Sequence, residues 1–195
     1  MPTPAHVLTA LLAAPLGLGA LPAQAQTPPA AQAPIAPLQH PVGDIPDTQV
    51  FVRYHSPLGF SLEVPEGWAR STTADGVRFV SRLDGIVITA RTAHQAPSVA
   101  SVRAQEIPAL KRAGRAVRIS AVTQVRLPAG KVVKIAYSDN SAPNPVTGKQ
   151  VREERWRFLY FRQGREVAVD FYAPYGADNV DQWHRMSQSF RWSRP

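Results

Sequence analysis

Apolar and polar positions alternate along most of the chain after residue 58. Phe60, Leu62 and Val64 interleave with Ser61 and Glu63, which predicts a half-buried strand over 60–64 that ends at the turn Pro65-Glu66-Gly67-Trp68. Residues 77–80 and 86–92 are further strands, joined through Leu83-Asp84-Gly85, where Asp-Gly is a strong turn signal. From 98 to 112 the period changes to that of a helix. Ser98 can cap it, and Val99, Val102, Ile107 and Leu110 lie on one side. Pro108 should kink or split this helix, and Gly114 ends it.

The second half can be read to the level of register. Val117, Ile119, Ala121, Thr123, Val125 and Leu127 alternate with polar residues, and Pro128-Ala129-Gly130 has the form of a three-residue hairpin loop. Pairing outward from that loop sets Val125 against Val133, Thr123 against Ile135 and Ala121 against Tyr137. A polar loop follows over 140–148. Trp156, Phe158 and Tyr160 then share a face, and the tight turn Gln163-Gly164 leads to Val167, Val169 and Phe171. Closing it pairs Tyr160 with Val167, Phe158 with Val169 and Trp156 with Phe171, and sets Arg157 beside Asp170 on the other face. On this reading the apolar side chains of the four strands all turn inward together.

After Pro174-Tyr175-Gly176, residues 178–189 read as a closing helix. Asp178 or Asn179 serves as cap, and Val180, Trp183, Met186 (or Ser187) and Phe190 form its apolar stripe. Strands, helix, four strands and helix make an α+β domain, an antiparallel sheet flanked by helices. The domain is expected over 49–195. Ahead of it, 7–21 is an apolar run too short to span a bilayer, followed by Pro22-Ala23-Gln24-Ala25. That predicts a signal peptide over 1–25, although its start carries no Lys or Arg. Residues 26–48 are rich in Pro and Ala and read as a flexible linker. The expected location is the periplasm or the medium.

Charge adds a direction. All 22 Lys and Arg follow Thr48, while Asp44 and Asp47 of the 14 acidic residues precede it, leaving 22 against 12 in the expected domain. Such an excess favours anionic partners. The chain has no cysteine, which removes disulfides, thiolate metal sites, a cysteine nucleophile and a lipid-modified terminus. Its histidines lack metal-site spacing, Gly-x-Ser-x-Gly is absent, and no glycine loop could cradle a phosphate. The expectation is therefore a non-catalytic protein with no metal and no cofactor.

The segment 54–68, with Tyr54, Pro57, Gly59-Phe60, Pro65 and Trp68, resembles the opening of PsbP-like domains. Phe171-Tyr172-Ala173-Pro174, Trp183 and Ser189-Phe190-Arg191 are similar to that family's close, so the resemblance covers 50–192. It implies an α/β/α sandwich. It also implies a binding or accessory role, as in the extrinsic photosystem II protein, a Ran-binding import factor and bacterial envelope members. No family-wide catalytic set comes with it, and the missing lipobox implies a soluble exported form.

The candidate site is basic. In the derived register Lys134 falls opposite Arg155 with Arg126 close by, while Trp156 and Phe158 point away. Like charges facing each other call for compensation. Glu153 and solvent can supply it; so can a polyanionic envelope component or an acidic protein surface. Nucleic acid is not expected, since no aromatic residue shares that face. The loop over 140–148, with Asn140, Asn144 and Thr147, is the second candidate. The alternatives are a small secreted hydrolase, or a small-molecule or lipid carrier, with a pocket between the sheet and the C-terminal helix. No transmembrane segment is expected after signal cleavage, and the oligomeric state is open.

Overall fold

The computed structural model describes residues 32–193. The expected signal peptide, the first residues of the expected linker and the last two residues of the chain lie outside them. Ten strands and three helices follow in order: β1 (Phe51–Ser56), β2 (Phe60–Pro65), β3 (Ala69–Thr72), β4 (Gly76–Ser81), β5 (Asp84–Thr92), α1 (Val99–Ser101), α2 (Ile107–Ala113), β6 (Arg115–Leu127), β7 (Gly130–Asn140), β8 (Arg152–Arg162), β9 (Arg165–Pro174), α3 (Val180–Ser189) and β10 (Arg191–Trp192). A π-helical turn, Val102–Glu106, joins α1 to α2. Seven strands form an antiparallel sheet in the order β3-β4-β5-β9-β8-β7-β6, and β1-β2-β10 form a smaller one. The domain is α+β, as expected. No helix among the described residues is long and apolar enough to cross a membrane.

One face of the large sheet carries the main core. Val77, Phe79, Ile86, Ile88, Trp156, Phe158, Tyr160, Val169 and Phe171 meet Phe60, Leu62 and Val64 of β2 and Trp183, Met186 and Phe190 from the α3 region. Phe190 stacks on Tyr160 at 3.9 Å and on Phe60 at 5.5 Å between ring centroids. The Tyr160 hydroxyl donates to the Ser187 carbonyl at 2.8 Å. Each such fully buried large side chain contributes about 1.5–3 kcal/mol. The stripe of α3 starts later than expected. Trp183, Met186 and Phe190 are buried, but Val180 is 44% exposed, because Asn179 and Gln182 hold the inward positions of the first turn.

The other face carries a second core, in which Val102 and Leu110 cover Val122, Val133, Ile135, Tyr137 and Leu159. Pro108 does split the helix, as expected. Its missing N–H and its ring oppose an ordinary turn, and the Ile107 N–H reaches Val102 instead.

Two expectations about register fail here. The β6–β7 loop is Pro128-Ala129, with Leu127 paired to Gly130, so Val125 faces Val132, Thr123 faces Lys134 and Ala121 faces Ala136. Gly130 has φ +119°, but as the first residue of β7 rather than the last of the loop. A shift between Ile119 and Ala121 then moves the buried set of β6 from odd to even positions, so Val117 and Val122 are both buried. Tyr137 therefore pairs with Arg155, on the face opposite Trp156 and Phe171. The apolar side chains of these strands do not all turn one way; both faces of the sheet are covered. The β8–β9 pairing is as expected, with Tyr160–Val167, Phe158–Val169, Trp156–Phe171 and Arg157–Asp170 in register.

The lead-in, expected as a free spacer up to residue 48, is docked along the domain over its described part. Asn179 accepts from the Ile45 N–H at 2.6 Å and donates to the Gly43 carbonyl at 2.8 Å instead of capping α3. Gln182 donates to the Ile45 carbonyl, and Ile45 is buried in the main core. Asn140 holds Ala33 and Ile35 in the same manner. Three amide side chains, Asn140, Asn179 and Gln182, thus supply hydrogen bonds that a proline-rich segment cannot make with itself.

Candidate functional site

The proposed pairing of Lys134 with Arg155 does not exist. Lys134 lies opposite Phe158, on the α3 side, and its Nζ sits 2.8 Å from the centre of the Trp156 ring. An aromatic residue does share its face. Burial pushes the Lys134 ammonium down to about 8, with Glu154 pulling the other way. Arg155 is on the opposite face, where it donates to Asp139 at 2.7 Å, pairs with Glu153 and lies over the Tyr172 ring. Arg126 is exposed on that second face, at the β6–β7 tip. Asn140 ends β7 as a buried residue, and Asn144 and Thr147 are exposed in the following loop. The Asn144 side chain accepts from the Val146 and Thr147 N–H groups and shapes the turn.

Three arginines of the second face, Arg91, Arg155 and Arg157, are neutralised from within. Arg157 donates to Asp170 at 2.6 and 2.9 Å and to Glu106 at 2.5 Å, and the Tyr137 hydroxyl donates to the same Asp170 oxygen at 2.7 Å. Arg91 donates to Glu166 at 2.8 Å. Arg152 is buried against Ser138, Asn140 and the Ala116 carbonyl. Burial raises the carboxyls of Asp139 and Glu153, with Arg155 pulling both the other way. Asp84 goes further. Burial first, then Asp44 and Glu153, push its carboxyl up to about 7. Its Oδ1 is buried without a partner beneath Gly43, where a Cβ would stand 2.4 Å away. That closure keeps Asp84 from meeting a substrate. Among the described residues no group of His, Asp and Glu could hold a metal ion.

Seven of the cations without a salt bridge among the described residues are gathered at one edge. Residues 107–138 contain Lys111, Arg112, Arg115, Arg118, Arg126, Lys131 and Lys134 and no acidic residue. None of these seven forms a salt bridge among the described residues. They occupy α2, the edge strand β6 and its neighbour β7. Arg126 and Lys131, both exposed, face each other directly across the hairpin. The like-charge pair sought at Lys134 and Arg155 therefore exists one strand further out. Sequence reasoning missed Lys111, Arg112, Arg115, Arg118 and Lys131, although the acid-free run was there to be read.

Among the described residues, the place expected for a hydrolase or carrier pocket, between the sheet and α3, is filled by Trp183 packed on Trp156 and Phe171 and by Phe190 stacked on Tyr160. A cavity of ≈ 500 Å³ lies instead on the second face, beside the start of the α1 helix.

No family model matches the chain, and no curated protein matches it in sequence. Among solved structures it is similar to cyanobacterial PsbP (CyanoP) from Synechocystis sp. PCC 6803, with 12% identity and a TM-score of 0.54 over 77% of this chain and 98% of that one. It is also similar to the Ran-binding protein Mog1p of Saccharomyces cerevisiae, with 10% identity and a TM-score of 0.50 over 74% of this chain and 96% of that one. At these identities the likeness is one of fold, and what it establishes is that this chain has the PsbP-like α+β fold.

Proposed function

We propose that the chain is an exported, non-catalytic binding or accessory protein that engages an anionic envelope component, or an acidic protein surface, through the β6–β7 edge. The observation that carries this reading is the set of seven cations with no salt bridge among the described residues, two of them directly opposed at the hairpin tip. Opposed like charges cost stability in the free protein, and an anionic ligand would offset that cost. Arg91, Arg155 and Arg157 of the same sheet are already paired with carboxylates. Lys111, Arg112, Arg118, Arg126 and Lys131 are exposed, and Arg115 and Lys134 are half-buried.

The reading is tested by matched charge reversal. Arg126→Glu/Lys131→Glu changes the net charge as much as Arg70→Glu/Arg78→Glu, whose exposed targets lie on β3 and β4 at the opposite edge. On an anionic matrix the first pair should elute at markedly lower salt than the second, with a shallower salt dependence of retention. It should also lose capture of the envelope partner that the second pair keeps. Equal shifts for the two variants would place the interaction elsewhere.

A further inference from the structure

The seven-stranded sheet has two edges, and they are unlike. β3 runs for four residues, all exposed, which is too short to offer much backbone. β6 runs for thirteen, with no proline from 115 to 127. Its inner side is taken by β7, in unbroken register from Ala121–Ala136 to Leu127–Gly130. Among the described residues its outer side meets no other strand, and no backbone-to-backbone hydrogen bond from 117–127 goes anywhere but to β7. Alternate N–H and C=O groups of an edge strand point away from the sheet, so 121–127 presents a row of open donors and acceptors.

The side chains beside that row differ by face. Val125 and Leu127 are half-buried against the main core. Arg126 is exposed on the second face, directly opposite Lys131, and Gln124 lies on the same side as Arg126. The strand carries Arg115, Arg118 and Arg126 and no acidic residue, so a second copy of it is repelled. Edge charges of one sign keep like edges apart and leave room for a strand of the other sign. Complementarity therefore asks for acidic residues on the side of Arg126 and Lys131, and apolar residues on the side of Val125 and Leu127.

We propose that β6 accepts an extended segment of a partner protein, alternating acidic and apolar residues, as an eighth strand beside 121–127. This rests on the basic β6–β7 edge being the binding surface and narrows it. Main-chain hydrogen bonds hold the segment, and Arg126 and Lys131 select its charge. A polyanion without a peptide backbone shares only the charge.

The test is a titration of the full chain with a blocked heptapeptide of alternating Glu and Val, followed by amide hydrogen exchange. Alternate amides of 121–127 should exchange about tenfold more slowly at saturation, while those of β3 and β4 do not change. Two N-methylated versions, one on the Val and one on the Glu residues, keep the charge and each remove the donors of one edge. One of them should lose the protection and the other keep it. Arg126→Glu/Lys131→Glu should turn the preference toward the counterpart of alternating Lys and Val. The proposal is overturned if both N-methylated versions protect as the parent does, or if polyphosphate protects the same amides equally; the edge is then a plain polyanion site. It is also overturned if the heptapeptide gives no protection. In that case, loss of anionic-matrix retention in Arg126→Glu/Lys131→Glu shows an edge that binds charge and adds no strand, and unchanged retention shows that the edge is not the binding surface.

Discussion

Asp84 shows what a single buried carboxyl does when nothing solvates it. Unfolded, it titrates near ~3.9. Folded, it titrates at about 7, because it lies under Gly43 with Asp44 and Glu153 nearby. Between these values the unfolded chain is ionised and the folded one holds the proton, so this residue's contribution to stability falls as pH rises from ~4 to about 7. Asp84→Asn should therefore melt a few degrees above wild type at pH 8 and at nearly the same temperature at pH 4. A thermal scan at the two pH values decides it. Arg157 is the opposite case, a cation that two carboxylates and a buried tyrosine depend on. Arg157→Met should cost about 3–5 kcal/mol by leaving Asp170 and Glu106 unpaired, measured by denaturant unfolding. The Arg157–Asp170 contact was legible from sequence, since Gln163-Gly164 fixes the register of its hairpin. The state of Asp84 was not, because the glycine that covers it comes from 41 positions earlier in the chain.

The two hairpins differ at the scale of the element. In β8–β9 the turn residues Gln163 and Gly164 have φ of +48° and +76°, the pair of left-handed conformations that suits a two-residue connection. Glutamine adopts that conformation at a cost, so Gln163→Asn should raise stability by about 0.5–1 kcal/mol, read from the midpoint of denaturant unfolding. In β6–β7 the loop is one residue shorter than Pro128-Ala129-Gly130 suggests, and an irregularity near Ser120 flips the strand partway along. A one-residue slip sends every side chain to the other face. That is why Lys134 came out on the wrong side in the sequence reading, and why Tyr137 joins the arginine network instead of the main core.

Over the whole molecule, charge is sorted. Acidic residues are drawn into the sheet's second face to neutralise Arg91, Arg155 and Arg157, while the acid-free run 107–138 sets seven cations at the β6–β7 edge. The lead-in is held at two points by Asn140 and Asn179. Asn179→Ala should speed hydrogen exchange at Ile45 and nearby residues while the β8–β9 ladder stays protected. If exchange accelerates equally in both, the lead-in and the sheet open as one unit.

The α+β class, the places of β2 and β4 to β9, the split at Pro108 and the β8–β9 register were determined by the sequence, because each rests on local periodicity or a short turn whose geometry few residues can satisfy; β1, β3 and β10 were not. The location of the unpaired cations, the docking of the lead-in and the cavity beside Glu166 were decided by the tertiary structure. These depend on which face a strand presents after an irregularity, and on contacts between segments that approach each other only when the chain is folded.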